Sequence, residues 1–407
     1  MIVNLQEATT WLASQPPLYR AYCAQSLPGP TFLSEGREYL SFSSNNYLGL
    51  AQCDRLKAAA HAGLERYGVG NCESRLLTGD LDIYGALEEK LATVKRKEAA
   101  LLYATGYLTN LGVLSALVRW PVMARMLGYK PERQYKYVFF SDEFNHVSIK
   151  EGIRLSGAPA VTYRHADLDF LADKLASTPA DIRIIVTDGV FSQDGDIAPL
   201  PELLALAERF DAALYVDDAH GTGVLGQEGR GSAEHFGLRS PRLIQMGTLS
   251  KAYGAIGGFV ATSHEVVEVL RLSSAAFGFT STLPPDQALA VSTAVDIVVD
   301  EPQRLARLWE NQRYFVERLR VVGITPVSQR TPIVPVMVGD DRDAEIVAAA
   351  LREDGIHLDV VKFPAVGLGR SRLRVILNAQ HTHEQIDRLV DLLGRQAALG
   401  RLSGARA

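Results

Sequence analysis

The chain has 407 residues, 47% of them apolar and 22% charged, with a formal net charge of −5. That balance is ordinary for a globular protein and speaks against a polycationic nucleic-acid binder or a basic amphipathic membrane anchor. Cys23, Cys53 and Cys72 are too few and too scattered for a disulfide framework or a metal site, which suits a reducing cytoplasm; no uncharged apolar run approaches the roughly 20 residues of a membrane helix, and the N-terminus MIVNLQEATTWLASQ lacks the character of a signal peptide.

In chain order, residues 5–25 read as an amphipathic helix, followed by a turn at Pro28-Gly29-Pro30. An extended stretch from Tyr39 to Ser44 leads into SSNNYLGL. From about residue 55 to 290, helix and strand alternate. Leu87, Leu91 and Val94 keep helical spacing, while Tyr137–Ser141, Ile182–Val186 and Ala213–Val216 are short continuous apolar runs. Such runs, separated by helices, predict an α/β fold with a buried, mainly parallel sheet covered on both faces. Strand ends carry small or polar residues: SDEFNH, TDGVFS, DDAHGTG and GTLSK. Ligands of open α/β sheets sit outside the carboxyl ends of the strands, so these clusters should converge on one edge.

Residues 291–407 read differently. A long helix is expected from Pro302 to Val322, then an apolar run from Ile333 to Val338. A helix from about Asp343 to Asp354 follows, with Gly355 as its C-cap. Strands over His357–Lys362 and Arg372–Leu377 precede a last helix from Thr382, and the chain ends in a loose tail from about Leu402. The expected parts are an N-terminal helix and arm over 1–54, a large α/β domain over 55–290, and a small α+β domain over 291–407.

Four pieces carry chemistry. Lys251 in GTLSKAYGAIGG is walled by small residues, and Gly254, Gly257 and Gly258 permit tight turns. Desolvated lysines of this kind form Schiff bases, although most lysines in glycine-rich turns are solvated structure. In VDDAHGTG, adjacent acids at a strand end are costly unless one meets a cation. A carboxylate beside a pyridine nitrogen would keep that nitrogen protonated. Asp217 and Asp218 point to opposite faces of the strand, so only one serves, and a capped turn is the plainer alternative. His146 in FNHVSIKEG caps, packs, or stacks on a flat ligand. YATGY, residues 103–107, joins a strand to a helix, where free N–H groups bind phosphate well.

Their order and spacing say more than any one piece. SSNNYLGL, SRLLTGD, TGYLTN, NHVSIKEGIRLSG, DGVFSQDGD, VDDAHGTGVLG, GTLSKAYGAIGGF, TSTLPP and RLRVILNAQHT follow one another in a chain that resembles the α-oxoamine synthase family of fold-type I pyridoxal-phosphate enzymes. The resemblance runs from about residue 39 to 395. It implies pyridoxal 5'-phosphate as cofactor and a homodimer with shared active sites. It implies a decarboxylative condensation of alanine, serine or glycine with an acyl thioester of coenzyme A or acyl carrier protein. By the same resemblance Lys251 is the Schiff-base lysine and the acid–base group at the α-carbon. Asp217 pairs with the pyridinium nitrogen, and His146 stacks on the ring. Ser192 and His220 bond near the ring hydroxyl. Gly106, Tyr107, Thr248 and Ser250 surround the phosphate, while Ser281 and Thr282 reach the phosphate site of the other subunit. Arg374 takes the amino-acid carboxylate by a bidentate contact, Ser74 adds a substrate contact, and Asn46 closes the site from the arm.

Some positions depart from the family pattern. Tyr84 stands where many relatives have His, Asp188 where Glu is usual, and Leu76 where glycine-selective relatives often have Asn. Residues 120–137 form a long excursion with Arg125, Lys130, Arg133 and Lys136. A solvated loop is the plain reading of it, and a contact for a coenzyme A or carrier phosphate the functional one. An aminotransferase on the same scaffold is the rival activity.

Overall fold

The computed structural model describes residues 2–14, 23–26, 29–130 and 132–403. The first helix, α1 (Ile2–Ser14), covers the start of the expected 5–25 helix; Cys23, Ala24 and Gln25 are not helical, and residues 15–22 lie outside the described residues. Every side chain from Leu5 to Ser14 is exposed.

The arm forms a hairpin of β1 (Thr31–Ser34) and β2 (Arg37–Ser41). Its two-residue turn puts Glu35 and Gly36 at φ 52° and 73°, the left-handed pair that matches strand twist. Helices α2 (Asp54–Tyr67) and α3 (Asp82–Lys95) lead into the main sheet.

That sheet has seven strands: β3 (Ala99–Tyr103), β4 (Tyr137–Asp142), β5 (Ala160–Tyr163), β6 (Ile182–Asp188), β7 (Ala212–Asp217), β8 (Leu243–Thr248) and β9 (Gly258–Thr262). They lie in the order β3-β9-β8-β7-β6-β4-β5, and only β9 runs against its neighbours. All six residues of β4 and of β8 are buried, which is why the run Tyr137–Phe140 is continuously apolar instead of alternating. Helices α4 (Gly106–Met126) and α5 (Val147–Ser156) pack together after β3 and β4.

The C-terminal layer is an antiparallel sheet of β10 (Ile333–Gly339), β12 (Asp359–Val361) and β13 (Ser371–Ile376), with β13 in the middle. The run expected as one strand over His357–Lys362 is broken: β11 (Ile356–His357) pairs with β2, and β12 pairs with β13. The chain changes sheets at Leu358, which is buried between them. Leu40 and Phe42 of the arm join Phe315, Val334, Val375 and Leu389 in the C-terminal core. Residue 290 falls inside the helix Pro285–Asp300, whose Val291 and Ile297 pack with Leu87 and Leu91 in the core of the main sheet.

The final helix, His383–Ala398, begins at Thr382 with a capping box, and Gly355 takes φ 75° after the helix Asp341–Glu353. Two local expectations need correction. Leu402 is buried and the Ser403 N–H donates to Met337 O at 3.0 Å, so the chain is still tied down there. The 120–137 excursion begins as helix, because α4 continues to Met126, and its ends are tied by the Trp120 indole donating to the Tyr137 hydroxyl at 3.1 Å. Among the described residues, no helix is long and apolar enough to cross a membrane.

Candidate active site

The carboxyl ends of β3, β4, β6, β7 and β8 meet at a cavity of about 260 Å³. Its lining includes Gly106, Tyr107, His146, Ser192, Asp217, His220, Thr248, Ser250 and Lys251. A wider cleft of about 520 Å³ opens beside Arg96, Glu98 and Ser240, at the opposite edge of the sheet. Its Arg96 faces Glu228 and Glu234, Lys97 is bound to the Ser240 carbonyl, and the strand-end chemistry is absent there. Chemistry, not size, selects the smaller cavity.

Lys251 follows β8 and is largely buried; its Nζ lies 2.8 Å from Nε2 of His220. Burial brings its pKa down to about 8, against the pull of Asp217 and Asp188, with Arg374 adding to the fall. Burial also holds His220 well below the ordinary histidine value, and Lys251, Arg374 and His146 push the same way. The site therefore holds a lysine whose proton is loosened by burial beside an uncharged imidazole.

The two adjacent acids separate as strand geometry requires. Asp218 turns away from the cavity into a buried ion pair with Lys95, Oδ2 to Nζ at 2.6 Å. Asp217 turns into the cavity, where Asn110 Nδ2 donates to its Oδ2 at 2.6 Å and Ala219 N–H to its Oδ1 at 3.1 Å. Asn110 is itself fixed, because its Oδ1 accepts from the Tyr215 hydroxyl at 2.6 Å and its Nδ2 also donates to Ser148 Oγ at 2.8 Å. Asp217 thus presents an oriented anion on the cavity floor. Beside it, burial pushes the Asp188 carboxyl well above the usual range, Asp217 adding to the effect.

His146 is the N-cap of α5, with Nδ1 2.7 Å from Ser148 Oγ and its backbone N–H donating to Asp188 at 3.0 Å. Its ring is open to the cavity; desolvation by the surrounding walls lowers its pKa, Asp217 opposing and Lys251 assisting.

An anion cradle lies at the start of α4. Thr105 caps the helix by accepting from Leu108 N–H at 3.1 Å, so the N–H groups of Gly106 and Tyr107 lack intrahelical partners. The Thr248 and Ser250 hydroxyls stand 2.9 Å apart on the same wall. Close backbone approach is built in: a Cβ on Gly258 would come within 2.6 Å of Gly106 N and Cα. Gly254 and Gly257 take φ 68° and 125°, so the turn after Lys251 needs glycine.

Five expected residues are outside this lining. Arg374 stands at the border: its Nε donates to the Ser192 carbonyl at 2.5 Å, and Asp359 lies 3.8 Å away. Asn46 is buried in the arm and accepts from Ala51 N–H at 3.3 Å. Ser74 donates to the Gly278 carbonyl at 2.6 Å. Ser281 is exposed, and the Thr282 hydroxyl is buried with no hydrogen-bond partner among the described residues. Tyr84 is a core residue whose hydroxyl donates to Leu283 O at 2.9 Å, so it braces the TSTLPP segment and does not shape the cavity wall. The 120–137 excursion encloses a hollow of about 250 Å³ beside Trp120, Arg125 and Tyr129. It lies at the far end of the 21-residue helix α4, about 30 Å from the cradle at 1.5 Å per residue.

Sequence reading missed Asn110, Ser148 and Tyr47. Asn110 stands one helical turn after Gly106, on the same face of α4, and that spacing is the signal that finds it. Tyr47 enters from the arm, with its hydroxyl 2.7 Å from Nδ1 of His220.

The residues present fit pyridoxal phosphate. A lysine with a lowered pKa shares the cavity with an oriented carboxylate, an imidazole opens onto it, and free N–H and hydroxyl donors line one wall. Comparison with known proteins agrees. The aminotransferase class I and II family model matches residues 37–393. The chain is 43% identical to the 8-amino-7-oxononanoate synthase of Symbiobacterium thermophilum, covering 93% of each chain. It is 39% identical to 8-amino-7-oxononanoate synthase 1 of Bacillus subtilis, covering 92% of each. Among solved structures, serine palmitoyltransferase of Sphingomonas wittichii has TM-score 0.86 at 29% identity over 98% of both chains. An 8-amino-7-oxononanoate synthase from Francisella tularensis has TM-score 0.73 at 26% identity, over 89% of this chain and 98% of that one. This chain belongs to the α-oxoamine synthase family of fold-type I, pyridoxal-phosphate-dependent enzymes.

Proposed function

We propose that the enzyme condenses alanine with a seven-carbon dicarboxylic acyl thioester to give 8-amino-7-oxononanoate. The observation that carries this reading is near-full-length identity to synthases of that product, joined to a cavity whose Lys251, His220 and Asp217 suit the chemistry. The product's skeleton names the substrates: carbons 8 and 9 with their amine are alanine without its carboxylate, and carbons 1 to 7 are the acyl group. In the reaction, alanine Cα bonds to the acyl carbonyl carbon. The carbon–sulfur bond breaks, the carboxylate leaves as carbon dioxide, and one proton is taken up overall by the departing thiol.

Pyridoxal phosphate, when bound, supplies an electron sink for the pair left at the α-carbon. The chain's own residues do the rest. Lys251 anchors the cofactor and then moves the proton at Cα, a role that needs its pKa near the working pH. Asp217 meets the ring nitrogen, and His146 covers the ring. Ser192 and His220 bond near the ring hydroxyl, and His220 also assists the acyl transfer. Gly106, Tyr107, Thr248 and Ser250 hold the phosphate. Arg374 anchors the amino-acid carboxylate through its two terminal nitrogens, while its Nε keeps the contact with the Ser192 carbonyl.

The active form in this reading is a homodimer in which Ser281 and Thr282 serve the neighbouring site. The unpaired Thr282 hydroxyl and the exposed Val69, Leu77 and Phe279 support a covering subunit. Three free cysteines suit a cytoplasmic setting. A substrate panel tests the assignment: alanine, glycine and serine, each with dicarboxylic and with long unbranched acyl thioesters. Highest kcat/KM for alanine with the dicarboxylic acyl group is expected. Preference for serine with a long acyl chain would assign the chain to the palmitoyltransferase type instead.

A further inference from the structure

Tyr47 lies in the N-terminal arm, 1% exposed and 173 residues from His220 in the chain. Its hydroxyl is 2.7 Å from Nδ1 of His220, and Nε2 of that ring is 2.8 Å from Nζ of Lys251. The three side chains form one hydrogen-bonded line, and counting protons assigns each donor.

The Tyr47 hydroxyl has no other hydrogen-bond partner among the described residues. If Nδ1 carried the ring proton, the phenol's own hydrogen would be buried without an acceptor, at the cost of an unsatisfied polar group. Tyr47 therefore donates and Nδ1 accepts; burial raises the phenol's pKa and keeps that hydrogen in place. A neutral imidazole that accepts at Nδ1 carries its proton at Nε2. Nε2 is then a donor, and the Lys251 nitrogen beside it accepts only as the neutral amine, the form it takes above about pH 8.

We propose that Tyr47 is a positioning residue of the active site: by donating to Nδ1 of His220 it fixes the tautomer whose Nε2 carries the proton, so that His220 presents a hydrogen-bond donor to Lys251. An ammonium at Lys251 would face that N–H, donor against donor. This conflict acts alongside the other groups around Lys251. Asp217 at the end of β7 and Asp188 at the end of β6 favour its charge, and Arg374 from β13 opposes it. His146 at the head of α5 borders the same cavity. Without the Tyr47 hydroxyl, the ring proton is free to move to Nδ1, and Nε2 can accept from an ammonium. The proposal goes beyond the assignment of Lys251 as Schiff-base lysine and rests on it only in the loaded enzyme.

The test uses the full chain, wild type and Tyr47→Phe, which keeps the ring volume and loses only the hydroxyl. Histidine-¹⁵N spectra of the cofactor-free protein, taken above about pH 8 where Lys251 is neutral, should show His220 of the wild type protonated at Nε2 and bare at Nδ1. In Tyr47→Phe the Nδ1-protonated form should become populated. The pH midpoint for capture of pyridoxal phosphate should rise in the variant, by about tenfold in the proton affinity of Lys251. A wild-type His220 protonated at Nδ1 would overturn the proposal, as would a variant with unchanged tautomer and midpoint. Lys251→Ala is the separate control. If it captures cofactor as wild type does, the Lys251 assignment fails, while the spectra still decide the role of Tyr47.

Discussion

The surroundings of Lys251 and Asp217 set their proton affinity and orientation. Burial holds the Lys251 amine at about 8, against an ordinary 10.5, so the folded protein binds this proton less tightly than the unfolded chain. The sign follows. Below about pH 8 the cofactor-free fold carries the whole cost of a buried ammonium, and the cost fades as pH rises toward 10.5. Capture of pyridoxal phosphate by cofactor-free protein should therefore quicken as pH rises through about 8 and level off above it, as followed by the visible absorbance of the Schiff base. A midpoint near the ordinary lysine value would contradict the burial argument. Asn110 is the matching case for Asp217: its amide links the Tyr215 hydroxyl to the carboxylate. Asn110→Ala should weaken cofactor binding about tenfold, the worth of one buried hydrogen bond to a charged group, with the fold intact by circular dichroism. The meeting of Lys251 and Asp217 at one cavity was legible because each sits in a short motif at a strand end. Tyr47 was not, since contact between residues 173 apart leaves no mark in local spacing.

At the scale of elements, the turn after β7 carries both Asp217 and His220, so whatever fixes that turn sets the site. The buried Lys95–Asp218 pair does this from behind: Lys95 Nζ also donates to Thr222 Oγ1 and Arg230 O, at 2.7 Å each. Lys95→Met would leave Asp218 unpaired and should cost about 3–5 kcal/mol in denaturant unfolding. Lys95→Met/Asp218→Asn should recover part of that loss. Equal stability of the single variant and wild type would show that the pair does not hold the turn. Sequence alone left the two acids indistinguishable except by resemblance, and strand alternation plus the lysine on α3 now separates them. The strands were readable because burial on both faces makes them continuously apolar. The split of β11 from β12 was not, because the apolar alternation of Ile356, Leu358 and Val360 runs through the change of sheet without a break.

At the scale of the whole molecule, one chain leaves features that a second copy would cover. Leu5, Trp11 and Leu12 of α1 face solvent, as do Leu77 and Phe279, and the Thr282 hydroxyl lacks a partner among the described residues. The proposed homodimer should appear in sedimentation at twice the 44.4 kDa chain mass. Mixing Lys251→Ala with Thr282→Ala chains should then restore part of the lost activity, because one site in each mixed dimer draws both residues intact. A fully active monomer would contradict the shared-site reading. The fold and the order of the site motifs were visible in the sequence at this scale, whereas the covering surface depends on dispersed residues that no motif collects.

The most direct test of the central claim follows carbon and sulfur together. Holoenzyme is given alanine labelled at its carboxyl carbon and the dicarboxylic acyl thioester, and labelled carbon dioxide and free thiol are counted against turnover. The account predicts one of each per amino ketone formed, and neither from Lys251→Ala. Retention of the label in a 2-oxo acid, with the thioester intact, would make the enzyme an aminotransferase and contradict the condensation outright.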